Sequence, residues 1–203
     1  GGERFQGKRL VLAYGQIDLL PDLPGLEERW GDSVHLCPYC HGYESQQQPL
    51  GVLWVSPLSA HQATLLPDWG PVTFFTQGNE LEAEPRALLQ RRGVSIEPAR
   101  IAQLLGEAPK LTGVRLDDGR VIPLVGLYLG TRTRMASPIA EQLGCAFDEG
   151  PMGPILRTDE TMATSVAGVF AAGDIARMAP NATWASSDGV TAGVACHRSL
   201  VFP

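Results

Sequence analysis

The sequence predicts an α/β fold. Residues 50–55 (Leu-Gly-Val-Leu-Trp-Val) are a short, continuously apolar run of the kind that forms a buried parallel strand; 72–76 read as the next strand and 125–130 as another buried one. Helical stretches separate the first two and follow the second, so strands and helices alternate. Asp117-Asp118-Gly119 between two short strand-like stretches adds one hairpin. At 203 residues and 44% hydrophobic content the chain can bury a substantial core.

The elements follow in order. Residues 8–13 read as a strand ending at Gly15. Residues 17–26 contain Pro21 and Pro24 and read as an extended connector, and 26–30 as one helical turn. The segment His35-Leu36-Cys37-Pro38-Tyr39-Cys40-His41 comes next: an apolar lead-in that delivers Cys37 to a helix start, with Pro38 in the first turn where its missing N–H is not needed. After the break at Gln46–Pro49 comes the strand 50–55. Ser56 and Pro57 suit a helix N-cap and first position, and 58–66 supply that helix. The strand 72–76 completes a strand–helix–strand unit, whose crossover should be right-handed. Residues 83–92 form a helix stopped by Gly93, and 94–96 a further strand. Past the hairpin and the strand 125–130, 138–143 form a short helix ended by Gly144. An apolar run over 166–172 leads into Gly173-Asp174. The last helix spans 183–200, with Val190, Val194 and Val201 at helical spacing as its apolar stripe. The layout is an α/β unit at about 32–127, bracketed by pieces of a second domain.

Composition excludes several classes. The net charge is −6 and no run of Lys or Arg occurs, which argues against nucleic-acid or anionic-membrane partners. No stretch approaches a membrane-spanning length. Four cysteines are too few for a disulfide scaffold at this size, so one redox-active pair in a reducing cytoplasm is the simplest account. Cys145 and Cys196 read as small hydrophobes, and His61 and His197 as surface or capping residues.

Cys37-Pro38-Tyr39-Cys40 admits four readings. A two-residue spacing can close a reactive disulfide, and backbone N–H groups at a helix start stabilise a thiolate. His41 can carry protons near neutral pH. Cys-x-x-Cys-His also satisfies the covalent haem signature, but no export signal accompanies it. Structural zinc needs two more ligands, and Cys196-His197 is the only other cluster, so no metal site is assigned. Two inert, partly buried cysteines are the fourth reading. Redox chemistry is the preferred one. A glutaredoxin fold fits poorly, because Gly42 and the Gln46–Pro49 break interrupt the long helix that would follow.

His35 through Glu44 (His-Leu-Cys-Pro-Tyr-Cys-His-Gly-Tyr-Glu), followed by Gly168-Val-Phe-Ala-Ala-Gly-Asp174, resembles the thioredoxin-reductase-like flavoproteins. The match is to the bacterial branch with a Cys-Pro-Tyr-Cys-His-Gly-Tyr-Glu centre, and the fungal dithiol oxidases are similar. The resemblance implies a Rossmann-like, NADPH-type domain at 24–128 carrying the cysteines. It would be inserted between parts of an FAD-binding domain at 1–23 and 129–203. It further implies that Cys40 faces the flavin, that Cys37 exchanges with a thiol or disulfide substrate, and that His41 is the proton donor. Gly15 would close the first FAD-domain segment. Gly173 and Asp174 would approach the FAD ribityl and pyrophosphate, and Trp184 and Ala185 would offer backbone N–H groups to the flavin ring. A cytoplasmic homodimer is the implied assembly.

Two departures from that family pattern matter. The strand–Gly-x-Gly-x-x-Gly–helix unit that holds the FAD pyrophosphate is not in this sequence, and the resemblance puts it before residue 1. The chain is therefore expected to be a C-terminal portion with an incomplete FAD site, and an inactive association module is one alternative function. Second, the pyridine-nucleotide loop reads Trp54-Val55-Ser56-Pro57-Leu58-Ser59-Ala60, with side chains where bare backbone should meet phosphate. Gln77, Gly78 and Asn79 stand where a 2′-phosphate would need basic residues. Both argue against NADPH as direct reductant and for a dithiol oxidase that passes electrons to oxygen. Tyr14 is a third, smaller departure, standing where the family has a small residue beside the adenine.

Overall fold

The computed structural model describes residues 3–202, and the chain divides into two compact units. The first comprises the chain up to Leu19 and from Arg132 onward; the second is Leu20–Thr131. The chain starts the first unit with β1 (Leu10–Leu12) and β2 (Gln16–Leu19). It then builds the second from β3 (Val34–His35), α1 (Pro38–His41), β4 (Leu50–Leu53), α2 (Ser59–Leu65), β5 (Val72–Phe75), α3 (Ala83–Arg91), β6 (Ser95–Glu97), β7 (Ile101–Leu105), β8 (Gly113–Leu116), β9 (Val121–Ile122) and β10 (Gly126–Tyr128). It returns to the first with β11 (Arg132–Met135), α4 (Ile139–Gln142), β12 (Phe147–Glu149), β13 (Pro154–Leu156), β14 (Val169–Ala171) and α5 (Ala182–Val201).

The second unit is built on a parallel sheet in the order β3-β10-β4-β5-β6. All four residues of β4 are buried, because both faces of the sheet are covered. Alternation along the strands sends Leu53, Phe75 and Leu127 to one face, against Leu104, Val114 and Leu116 of the antiparallel sheet β7-β8-β9. Leu50, Val52 and Phe74 go to the other, against Ala60 and Ala63 of α2 and Leu89 of α3. Gly51 has no room for a side chain: a Cβ there would lie 2.9 Å from Leu127 Cδ1 and 3.0 Å from Phe75. Arg29 is 3% exposed and donates to the carbonyls of Gly25, Gly106 and Lys110. A buried guanidinium is tolerated there because carbonyl oxygens replace its water.

In the first unit β1 and β14 pair in parallel, with Leu12 opposite Ala171. β2–β11 and β12–β13 are antiparallel pairs. Leu12, Met135, Ala140, Cys145, Leu156 and Val169 form its larger core cluster, which Tyr14 flanks.

Three expectations are corrected. Val190, Val194 and Val201 of α5 are exposed; the helix instead turns Asp188 and Ala192 inward, where Ala192 meets Phe170 and Ala172. A small residue suits the close approach of helix and strand, and the larger valines are left outside. The α2 helix begins at Ser59 rather than after a Ser56 cap, and no side chain caps it. The start of the presumed 17–26 connector pairs as a strand, β2. Like β12, it is short, polar and half-exposed, so it carries little periodic signal.

Candidate active site

Parallel pairing with β10 sets His35 opposite Tyr128 and aims the chain at the cysteines. Cys37 is the extended residue just before α1, at φ −114° and ψ 114°, and Pro38 takes the first helical position. Cys37 and Cys40 are disulfide-bonded, with Cα atoms 5.4 Å apart. Cys37 is half-buried, whereas Cys40 and His41 are exposed. The Gln62 amide of α2 donates to the Leu36 carbonyl and ties this lead-in to the neighbouring helix.

Gly42 ends the turn, its N–H bonded to the Pro38 carbonyl at 2.7 Å. Its φ of −67° suits any residue. Space is what requires glycine: a Cβ would sit 2.5 Å from Cδ2 of Trp69. Trp69 thus buttresses the cysteine turn from below. Ser45 Oγ lies within hydrogen-bonding distance of the Gly42 and Trp69 carbonyls, at 2.7 and 2.8 Å. Tyr39, between the cysteines and 73% exposed, meets Trp69 edge-on at 5.5 Å.

The His35 and His41 rings are stacked, 4.2 Å apart and 12° from parallel. Burial, then the neighbouring His41, pushes His35 down to about 4; Glu44 and Asp32 oppose this. Burial, then Glu44, pushes the Tyr128 phenol up to about 12. Both groups are therefore uncharged at neutral pH, and both line a cavity of about 170 Å³ with His41, Glu44 and Asp32.

The other predicted residues lie in the first unit. Gly15 (φ 72°) and Gly173 (φ 79°) follow β1 and β14, beyond the carboxyl ends of two paired parallel strands. A Cβ at Gly173 would lie 3.4 Å from the Cβ of Ala185, so Gly173 and the start of α5 adjoin. Asp174 opens the short 3-10 turn that follows. The amide of Trp184 donates to the Asn181 side chain at 3.2 Å, and that of Ala185 to the Asn181 carbonyl at 2.9 Å. As arranged, both amides are engaged within the protein. Sequence reading missed Asp188: it is buried, pairs with Arg177 and accepts from the Gly173 backbone. Arg177 also lies 6.0 Å from the Trp184 ring.

Beyond β4, Ser59 Oγ accepts the backbone N–H of Val55 at 3.0 Å and of Ser56 at 3.3 Å. Beyond β5, Gln77 Oε1 accepts from Ile101 N–H, and Gly78 N–H donates to Pro98. Arg100 lies beside Gly78, and Arg86 shares a pocket with Asn79 and Glu80. Among the described residues, no group of three or more His, Cys, Asp or Glu is placed to hold a metal, and no helix is long and apolar enough to cross a membrane.

The profile of the pyridine nucleotide-disulphide oxidoreductases matches residues 1–189. The chain belongs to that family. It is 32% identical to "Thioredoxin reductase sirT" of Leptosphaeria maculans over 207 residues, covering 95% of this chain and 63% of that protein. The solved oxidoreductase from Agrobacterium tumefaciens is 48% identical with a TM-score of 0.90, over 96% of this chain and 65% of that one. A putative thioredoxin reductase from Bacillus anthracis is 27% identical with a TM-score of 0.86, over 95% and 64%. The chain thus spans a little under two thirds of the length of these relatives. It is a thioredoxin-reductase-like member of the family, with the Rossmann-like α/β fold of its neighbours.

Family membership implies a flavin, and thioredoxin reductases use NADPH. The strand side of the first unit fits FAD: bare backbone at Gly15 and Gly173, and the Asp174 carboxylate, stand at the carboxyl ends of parallel strands, where nucleotides bind in such sheets. The loop after β4 does not fit a pyrophosphate, since Ser59 already takes two of its amides. Of the residues that shape the dithiol, Cys37, Cys40 and His41 carried a sequence signal. Trp69, Ser45 and Gln62 carried none, because they reach Gly42, the Trp69 carbonyl and the Leu36 carbonyl from far away in the chain.

Proposed function

We propose that this chain carries the dithiol centre of a flavin-dependent thiol–disulfide oxidoreductase. The observation that supports this most is the Cys37–Cys40 disulfide at the start of α1, with His41 next in the chain, in a member of this family. A substrate thiolate attacks Cys37 Sγ, the disulfide breaks, and the electron pair stays on Cys40 as a thiolate. The substrate's second thiolate then attacks its own sulfur in the mixed disulfide. The substrate leaves as a disulfide and Cys37 as a thiolate. Two electrons pass to the cysteine pair, and His41 takes up a proton beside it. The reverse sequence reduces a substrate disulfide. FAD, when bound, supplies the two-electron acceptor or donor for Cys40. Gly15, Gly173 and Asp174 are the residues proposed to hold it; Trp184 and Ala185 would join them only if the flavin displaced the Asn181 cap.

The self-satisfied loop at Ser59 favours the oxidative direction, with a dithiol rather than NADPH as electron source and oxygen as final acceptor. The substrate is a thiol or disulfide on a small molecule or small protein, and the assembly a homodimer. The first test is the visible absorption spectrum of the purified chain, with an intact mass from the same sample. A flavin band supports the reading for this chain; a colourless protein at the expected mass makes the chemistry a property of a longer parent. In a flavin-bearing sample, Cys40→Ser should lower dithiol turnover by about 100-fold or more while leaving the fold intact. Undiminished turnover in that variant would sink the scheme.

A further inference from the structure

His35 ends β3 two residues before Cys37. Pairing with β10 fixes its backbone, and Leu129 N–H donates to its carbonyl at 3.0 Å. Its ring lies flat on His41 and packs against Tyr128 at 5.4 Å, tilted by 43°. Its Nδ1 is buried without a protein partner. That atom belongs to a residue lining the 170 Å³ cavity, which has room for a few waters at about 30 Å³ each. The titratable groups around the pair are Asp32 ahead of β3, Glu44 beyond α1 and Tyr128 on β10; no Lys or Arg lines the cavity.

We infer that His35 is a positioning residue for His41: its ring, packed against both His41 and Tyr128, fixes the orientation of the His41 imidazole, the side chain that follows Cys40 in the chain. This rests on the proton-carrying role proposed above for His41. Two imidazoles this close cannot both ionise readily, since like charges disfavour each other. Burial disfavours the charged form of His35. His35 is the more buried and is pushed down to about 4, whereas His41 is exposed. The proton carrier proposed for the dithiol is then held in a fixed orientation. The carboxylates of Asp32 and Glu44 lie on the cavity wall, where they partly oppose the downward push that burial and His41 exert on His35.

The test uses the reduced full chain and needs no bound flavin. Iodoacetamide alkylation of Cys37 and Cys40, read peptide by peptide from pH 5 to 9, reports the thiolate fraction. His35→Ala should slow alkylation at pH 7 by about 3- to 10-fold and move the inflection of the pH profile by about half a unit or more. His35→Phe, which keeps a flat ring and loses the nitrogens, should recover most of the rate. Two results overturn the inference. An alanine variant with an unchanged rate and profile would leave His35 as packing only. A phenylalanine variant as slow as the alanine one would mean that the ring nitrogens, and not the stack, are needed. If His35→Ala does not fold, proton NMR of the wild-type imidazoles decides. A His35 signal that stays neutral down to about pH 5 supports the inference; a His35 signal that titrates above pH 6 overturns it. Cysteines that fail to alkylate at any pH in the wild-type chain would instead undercut the redox reading itself. Reactive cysteines indifferent to His35 would sink only this inference.

Discussion

At the residue scale the cysteine turn is held by contacts its own motif does not contain. Gly42 is a glycine because Trp69 occupies the space of its Cβ, not because of its backbone angles. Gly42→Ala should therefore cost about 1–3 kcal/mol in urea unfolding, the usual range for overpacking. Trimming the neighbour with Trp69→Leu in the same chain should return part of that loss, as contacting residues couple. If the double variant is as unstable as the sum of the two singles, the clash is not what makes glycine necessary. The residues of the motif were legible in the sequence because chemistry ties them to fixed spacing. The reason for Gly42 was not legible, since Trp69 reaches it only through the tertiary fold.

At the element scale α5 shows how a helix with apolar residues on more than one side chooses its buried face. Spacing alone favoured Val190, Val194 and Val201, yet the helix turns Asp188 and Ala192 inward. A carboxylate accepts that position because Arg177 and the Gly173 amide replace its water. The hydrogen bond from Arg177, first among the causes, holds the Asp188 carboxyl below its ordinary value of 3.8. A lowered carboxyl contributes stability above its unfolded pKa and loses it as pH falls through the lowered folded value. Asp188→Ala should thus cost about 2–3 kcal/mol at pH 7, less than a fully buried pair because Arg177 is partly exposed. The melting temperatures of variant and wild type should converge below about pH 3. A gap that persists unchanged into acid would mean that packing, and not the ion pair, carries the effect. The α2 start is a parallel case. Ser56 and Pro57 look like a cap in sequence, but Ser59 Oγ collects the loop amides once the helix is docked on β4.

At the scale of the whole molecule the two units each own their core. Both clusters of the second unit are drawn from residues between Leu20 and Thr131, one on each face of its parallel sheet. A chain of residues 20–131 should therefore fold alone, unfold in one cooperative transition and keep the iodoacetamide reactivity of its reduced cysteines. Circular dichroism with urea titration checks the first two, and alkylation rates the third. A fragment that gives no cooperative transition would show that its stability depends on the rest of the chain. The first unit carries the flavin-side glycines of the proposal on one strand pair, and the dithiol sits in the second. The proposed chemistry needs both.

The sequence by itself determined the α/β class, the strand runs that are buried on both faces, the Cys37–Cys40 spacing and the family. Each of these is written in local pattern: period, length, turn residues and motif spacing. Tertiary structure decided which face of α5 is buried, that Ser59 closes the loop after β4, that Trp69 supports the cysteine turn and that His35 lies under His41. Each of these depends on side chains that take their places only when strands pair and helices dock, whether the partners are distant in the chain, as Trp69 and Gly42 are, or close, as Ser59 and its loop or His35 and His41 are.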